Sequence, residues 1–395
     1  MKITSMEAIP VRLPRDLASA TGTAGSPTTL RRSASPYRWS EAYPCLYSVN
    51  FETALVKLTT DSGLTGWGEA QAPLAPEVAC SIVDHLLRPV VLDADFDGTV
   101  EGVRGFWQRM YSTMRVRGQT GGFMLDAISA VDMALWDLAG KMAGKPVCRL
   151  LAPDGAKTRI PAYISGLPNS SGEKRREAAK TWLGRGYTAF KLFFDSGPET
   201  LLPALDDVLS TLGGEGRVAV DALWRFTPTD MIGWGRELDA RNALWLEAPL
   251  PPEDPAAHAA LARAIRTPVA IGESYRTTFE LAPFFRERAM AIVQPDLGRC
   301  GITEGLRIAA EAAGHGIDVV PHISVAFGPQ VAAALHFAAA VPECRLTEYN
   351  PLVLDVANRF LQDPLELKDA SYLVPQGPGL GVEIVEAELA RAAAR

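Results

Sequence analysis

Seven ionisable residues recur along the second half of this chain at nearly constant spacing: Lys191, Asp221, Glu247, Glu273, Asp296, His322 and Glu348. The steps between them are 30, 26, 26, 23, 26 and 26 residues, and each stands at or near the end of a short apolar run. Eight such runs, rich in β-branched and aromatic residues, cover 160–165, 188–194, 218–222, 243–248, 268–273, 289–296, 317–322 and 345–349. Ala-, Leu- and Arg-rich stretches of helical texture separate them. Near-continuous apolar strands covered by helices imply a parallel sheet. Eight of them in about 190 residues imply a closed barrel rather than a doubly wound sheet. In such a barrel the functional face is the one where strands end. An unpaired charge inside a packed core is costly, so the matched positions mark one polar mouth.

Asp221, Glu247 and Glu273 come from three consecutive strands, which lie ~4.8 Å apart. Three carboxylates at one level repel unless a cation neutralises them, and an all-oxygen set with room for water and substrate suits Mg²⁺. The plainer alternative pairs each carboxylate with a rim arginine. His322 and Asp296 close neighbouring strands, and a carboxylate bonded to one imidazole nitrogen fixes the tautomer and raises the basicity of the other. The remaining histidines, His85, His258, His315 and His336, fall in helical stretches without such a partner. Lys191 ends an apolar strand and is suited to steadying an anionic oxygen, to acting as a base or to forming a Schiff base; the alternative is a lysine snorkelling to the rim. Glu348 is an acid, an orienter or a rim ion pair.

The first half differs in texture. Residues 53–69 hold two strand-like runs around Asp61-Ser62-Gly63, a hairpin signal. The segment 16–43, rich in Ser, Thr, Gly and Arg, reads as a long loop, a lid or a disordered stretch. From Pro76 to about Ala143 the pattern is helical, with Leu125, Ile128, Val131, Leu135 and Leu138 forming one stripe.

Composition narrows the function. The chain has 395 residues, 47% hydrophobic and 22% charged, which suits two folded domains. Its 39 basic and 46 acidic residues give a net charge of −7, against a nucleic-acid or anionic-membrane partner. The carboxylates, lysine and histidine at the strand ends, with the cation they call for, point instead to a small-molecule carboxylate as the partner. No apolar run reaches the ~18 residues of a membrane span. Five scattered cysteines without a CxxC pair read as reduced thiols, and no signal peptide is visible at the start, so the expected compartment is the cytoplasm.

The segment from Ala127 to Lys141, Ala-Ile-Ser-Ala-Val-Asp-Met-Ala-Leu-Trp-Asp-Leu-Ala-Gly-Lys, is followed by Gly144-Lys-Pro-Val and Leu150-Leu. With the strand-end residues it resembles the mandelate racemase-like branch of the enolase superfamily over essentially the whole chain. Ala152 stands where that pattern usually has glycine. The resemblance implies an α/β fold: a modified TIM barrel, (β/α)₇β, carrying an α+β capping domain built from the N-terminal part and the C-terminal tail. The division expected is 1–130 for the cap, 131–350 for the barrel and 351–395 for the tail packing back on the cap. The resemblance further implies Asp221, Glu247 and Glu273 as Mg²⁺ ligands, His322 and Asp296 as a base dyad, Glu348 as a substrate contact, the 16–43 segment as a capping loop, and a homo-oligomer. The chemistry implied is removal of a proton α to a carboxylate, giving an enediolate steadied by the metal and Lys191.

Departures shape the expected reaction. The branch commonly carries Lys-x-Lys on the second barrel strand, whereas this chain has Lys191-Leu192-Phe193. A second base is therefore missing, and a one-base β-elimination of water from a sugar acid, with His322 used twice, is the favoured reading. Leu223 stands where some sugar-acid dehydratases of the family place a histidine acid. Arg31, Arg32, Tyr37 and Tyr43 in the loop, with Phe193 and Arg225 on the barrel, are the candidate substrate contacts. The alternatives are a racemase, epimerase or cycloisomerase with another acid such as Tyr163, a Schiff-base aldolase through Lys191, or a non-catalytic binding protein.

Overall fold

The structure, a computed structural model, describes residues 1–15, 35–40, 45–168, 171–194 and 198–393. The chain opens with a three-stranded antiparallel sheet of β1 (Ile3–Pro14), β4 (Asn50–Thr60) and β5 (Thr65–Ala70), in the order β1-β4-β5. Between β1 and β4, β2 (Tyr37–Ser40) pairs with β3 (Cys45–Ser48). Part of the expected loop is thus a strand; Arg31, Arg32 and Tyr43 lie outside the described residues. The β4–β5 turn follows the hairpin signal, with Gly63 at φ 79°.

The helix Phe123–Ala143 lies across β5. Gly68 permits this approach, because a Cβ there would sit 1.8 Å from the carbonyl oxygen of Ala130. The single stripe read from the sequence understates the burial: every residue from Met124 to Gly140 is buried. One side meets the capping sheet, and another meets the barrel helix Leu297–His315. The expected division at 130/131 falls inside this helix.

Eight strands form the barrel: β6 (Arg159–Ser165), β7 (Ala189–Phe193), β8 (Arg217–Asp221), β9 (Leu246–Glu247), β10 (Val269–Ile271), β11 (Ile292–Val293), β12 (Asp318–Val319) and β13 (Thr347–Tyr349). Each coincides with one of the runs read from the sequence. Neighbours pair in parallel from β6 to β12, β13 pairs with β6, and Val319 bridges Cys344 near the closing seam. Helices join every consecutive pair of strands, so the topology is (β/α)₇β. Tyr163, Ala219, Trp245, Ala270, Ile292 and Val320 form an apolar cluster inside the barrel. Strand alternation places Ser165, Asp221 and Glu247, two residues further along, on the same inward side nearer the strand ends.

The tail returns along the molecule. β14 (Leu367–Lys368) and β15 (Ser371–Leu373) form a hairpin whose second strand runs antiparallel to β6. Leu380 N–H then donates to Asp137 at 2.8 Å, and the helix Glu386–Ala392 lies against β1. Among the described residues no helix is long and apolar enough to cross a membrane.

Candidate active site

Consecutive strand ends deliver the three expected carboxylates to one place. Asp221 and Glu247 face each other in the β8–β9 register, and Glu273 follows β10 by two residues. One oxygen from each of Asp221, Glu247 and Glu273 lies within 4.8 Å of the others. Asp221 and Glu247 are buried, and Glu273 is partly open. Burial drives the Asp221 carboxyl well above the usual range, with Glu247 and Glu273 adding repulsion that Lys191 offsets in part. Glu247 is oriented by the Trp245 indole N–H at 2.9 Å and the Gln294 amide at 2.8 Å. Trp224 donates its indole N–H to Glu273 at 2.7 Å from a backbone at φ 58°. This hard, all-oxygen set, crowded beyond what one lysine neutralises, fits a divalent cation such as Mg²⁺.

Lys191 is buried with its Nζ 2.6 Å from Glu247, 3.1 Å from Glu348 and 3.6 Å from Asp221. Burial alone would lower its pKa, but Glu247, Glu348, Tyr163 and Asp221 together raise it well above the ordinary lysine value. These carboxylates favour its ammonium form. Glu348 also accepts from the Ile323 N–H at 3.0 Å. Burial pushes the Glu348 carboxyl up, but Lys191 and then His322 outweigh it, bringing the value down to about 2.

Asp296 accepts from His322 Nδ1 at 2.7 Å. Its other oxygen accepts from Gly298 N–H at 2.9 Å and the Gln330 amide at 3.0 Å, so the dyad carboxylate is fixed on both sides. His322 Nε2 faces Glu273 at 3.2 Å. Burial lowers the imidazole pKa, yet Glu273, Asp296 and Glu348 reverse this and lift it to about 10.

The strand-end residues open into a cavity of about 320 Å³ between the barrel mouth and the cap. Lys191, Phe193, Asp221, Leu223, Glu273, His322 and Glu348 line it from the barrel. Phe193 lies on the Lys191 side, its ring centroid 5.3 Å from Nζ. Two expected groups are not among the lining residues. Arg225 turns away from the cavity and donates to the carbonyl of Phe194, because Leu223 and Trp224 take left-handed backbone (φ 55° and 58°) and redirect the chain. Tyr163 sits in the barrel's inner cluster without lining the cavity, and burial keeps its phenol protonated. Tyr37 is committed elsewhere, donating to Glu52 at 3.1 Å and accepting from Ala75 N–H at 2.8 Å.

The sequence reading missed Arg15, Gln71, Arg299 and Ser324, which also line the cavity. Gln71 donates to the Ser324 hydroxyl, joining cap to barrel. Arg299 carried a readable signal: a cation in the first turn of a helix, where the dipole disfavours it.

A capped (β/α)₇β barrel with three carboxylates beside a lysine and a His–Asp pair defines the class of protein. The chain belongs to the enolase superfamily, within its mandelate racemase and muconate lactonizing enzyme branch. The model of the mandelate racemase/muconate lactonizing enzyme N-terminal domain matches residues 45–152, and that of the enolase C-terminal domain-like family matches residues 174–388. A D-galactarolactone cycloisomerase of Agrobacterium fabrum is 31% identical, over 84% of this chain and 88% of the relative. An arabinonate dehydratase of Saccharolobus solfataricus is 29% identical over the same shares. A crystal structure of an enolase superfamily member from Agrobacterium tumefaciens superposes with a TM-score of 0.92 at 32% identity, covering 100% of this chain and 99% of the other.

Proposed function

We propose that the protein removes the proton α to the carboxylate of an acid sugar, with Mg²⁺ at Asp221, Glu247 and Glu273, and eliminates the β-oxygen. The observation that carries this reading is the single acid–base face: His322 lines the cavity, while Phe193 and Leu223 present hydrocarbon from the neighbouring strands. A divalent cation held by the triad supplies positive charge where the substrate carboxylate gains negative charge.

The chain's own residues do the rest. With its Nδ1 proton donated to Asp296, and with Glu273, whose charge does most to raise the imidazole pKa, engaged by the cation, His322 would present a neutral Nε2 as the base for the C2 proton. Lys191 stays charged and neutralises the carboxylate oxygens as the enediolate develops. Glu348 holds Lys191 and accepts from the chain beside His322, fixing the two groups relative to each other. The C2 electrons form a C2–C3 double bond as the C3–O bond breaks. The imidazolium returns its proton to the leaving hydroxyl, water departs, and the enol becomes a 2-keto-3-deoxy acid. This dehydration is supported by relatives named arabinonate, D-galactonate and D-xylonate dehydratases.

A second reading, cycloisomerisation, is favoured by the absence of an acid at Phe193 and Leu223. A lactone ring oxygen leaves as a stable carboxylate and needs no proton, and because it stays tethered the product is an isomer. The relative named D-galactarolactone cycloisomerase supports it. The five free cysteines suit a reducing compartment, so we place the enzyme in the cytoplasm.

A screen of mono- and diacid sugars and their lactones with Mg²⁺ tests the reading, scored for keto products and for deuterium entering C2 from solvent. The expected result is turnover that EDTA stops. His322→Asn should abolish turnover and exchange while retaining Mg²⁺ binding; near wild-type turnover in that variant overturns the assignment.

A further inference from the structure

The base dyad is held by two residues that are themselves held from outside the barrel. One oxygen of Asp296 accepts from His322 Nδ1 at 2.7 Å, and the other accepts from the Gly298 N–H at 2.9 Å and the Gln330 side-chain amide at 3.0 Å. The Gly298 carbonyl in turn accepts from the N–H of Gln71, just past β5, at 2.7 Å, and from the Ser129 hydroxyl on the helix Phe123–Ala143. Gln330 is the second residue of the helix Pro329–Ala340, whose N-cap, Gly328, has no side chain to offer. Glu69 on β5 fills that place. It accepts from the Phe327 N–H at 2.6 Å and the Gln330 N–H at 3.0 Å, a carboxylate at the positive end of a helix.

Satisfying Asp296 does not account for Gln330. Gly298 already donates to the same carboxylate oxygen. Gln330 is 1% exposed, and among the described residues its Oε1 has no hydrogen-bond partner. A buried carbonyl oxygen without a donor is destabilising, and a hydrocarbon side chain of similar shape avoids that cost. What the amide adds is direction. A single donor leaves the carboxylate able to turn about its Cβ–Cγ bond, and a second donor from another element fixes its plane. That plane aims the other oxygen at Nδ1, which sets the imidazole ring and the line along which Nε2 points. Gly298 makes the approach possible, because a Cβ there would overlap the Gln330 amide oxygen.

We propose that Gln330 is a positioning residue for proton abstraction: it fixes the Asp296 carboxylate and so aims His322 Nε2 at the C2 proton, within a frame that Glu69 and Gln71 hold from the cap. This rests on the proposed function for the role of His322. The base is then aligned only when the cap is seated on the barrel.

The test is Gln330→Met, which keeps the length and burial of the side chain and removes its donor. With the best acid sugar or lactone from the screen and saturating Mg²⁺, kcat should fall roughly 10- to 100-fold, the scale of a small misplacement of a reacting group, while KM stays within about twofold. The isotope effect on kcat from substrate deuterated at C2 should be at least as large as in wild type, because C–H cleavage is the step slowed. The urea midpoint should be unchanged or higher, since an unsatisfied oxygen has gone. Gln330→Asn, which keeps an amide but withdraws it by one methylene, should be as slow as Gln330→Met. A purely structural role gives the opposite pattern, a lowered midpoint with wild-type kcat per folded molecule, and overturns the proposal. So does a rise in KM alone, or an isotope effect that shrinks. His322→Asn separates this from the reading it rests on. An inactive His322→Asn beside a fully active Gln330→Met removes only the positioning role, whereas an active His322→Asn removes the proposed function.

Discussion

The barrel mouth and the cap–barrel seam both bury carboxylates, and they treat them in opposite ways. Along the seam each acid is matched to its own donors. Asp132 accepts from the Thr303 N–H and hydroxyl. Asp137 accepts from Trp67 N–H and Leu380 N–H and pairs with Lys141. Glu69, on β5, accepts from Phe327 and Gln330 N–H groups, one at each oxygen, at the start of the helix Pro329–Ala340. At the mouth, Asp221, Glu247 and Glu348 share Lys191, and Glu273 leans on a histidine. A carboxylate with its own donors is architecture, whereas a group of them crowded around one shared lysine is suited to a cation and a substrate.

The sharpest way to break this contrast is to neutralise one acid on each side. Asp221→Asn should cut turnover by roughly 10³-fold or more, since charge stabilisation by a metal is worth several kcal/mol. Because Asp221 is crowded by Glu247, the same change should leave the metal-free protein as stable as wild type or more so. Steady-state kinetics with urea unfolding in EDTA measures both; a large stability loss would place Asp221 with the seam acids.

At the seam the expectation reverses. Asp132→Ala strands the buried Thr303 donors and should cost about 2–4 kcal/mol in urea unfolding. Turnover per folded molecule should stay within about threefold. A kinetic defect larger than the stability defect would show that the seam reaches the chemistry.

The third contrast is in pH. Burial lifts the carboxyls of both Glu69 and Asp132 to about 7, despite their donors. For an acid raised in the folded state, the native protein binds more protons than the unfolded chain between about pH 4.5 and 7. Its contribution is therefore present below the unfolded pKa and is lost as pH rises through 7. Glu69→Gln should flatten this loss, on the order of 2–3 kcal/mol, between pH 5 and pH 8. Taking the difference from wild type removes the opposing effect of His336, which burial lowers to about 4. Identical slopes for wild type and variant would count against the Glu69 shift.

These contrasts also explain what was legible in the sequence. The strands and the Asp221, Glu247, Glu273, Asp296, His322 and Glu348 positions were readable because apolar runs end in charges at a fixed repeat, and strand register converts repeat into proximity. Arg225 was misplaced because adjacency to Asp221 says nothing about aim, and two left-handed residues turn the chain. Arg15 and Gln71 were hidden for another reason: their part depends on how the cap sits on the barrel, a packing relation without local periodicity. The helix Phe123–Ala143 gave up one stripe only, because Asp126, Asp132 and Asp137 imitate a solvent face while each finds a buried partner.

The smallest expected effect lies outside both regions, at the hairpin between β14 and β15. Asp369 pairs with Arg159 at 3.0 Å, but the side chains are 72% and 42% exposed, so the ion pair contributes about 0–1 kcal/mol. Asp369 and Ala370 also take φ of 50° and 53°, two successive left-handed residues closing a tight turn. Asparagine tolerates that backbone at least as well as aspartate. In Asp369→Asn the lost ion pair and the retained turn preference should nearly cancel, giving a change under about 0.5 kcal/mol of either sign. Thermal unfolding at low and high salt separates the two contributions: the ion-pair part should vanish at high salt, and the turn part should not.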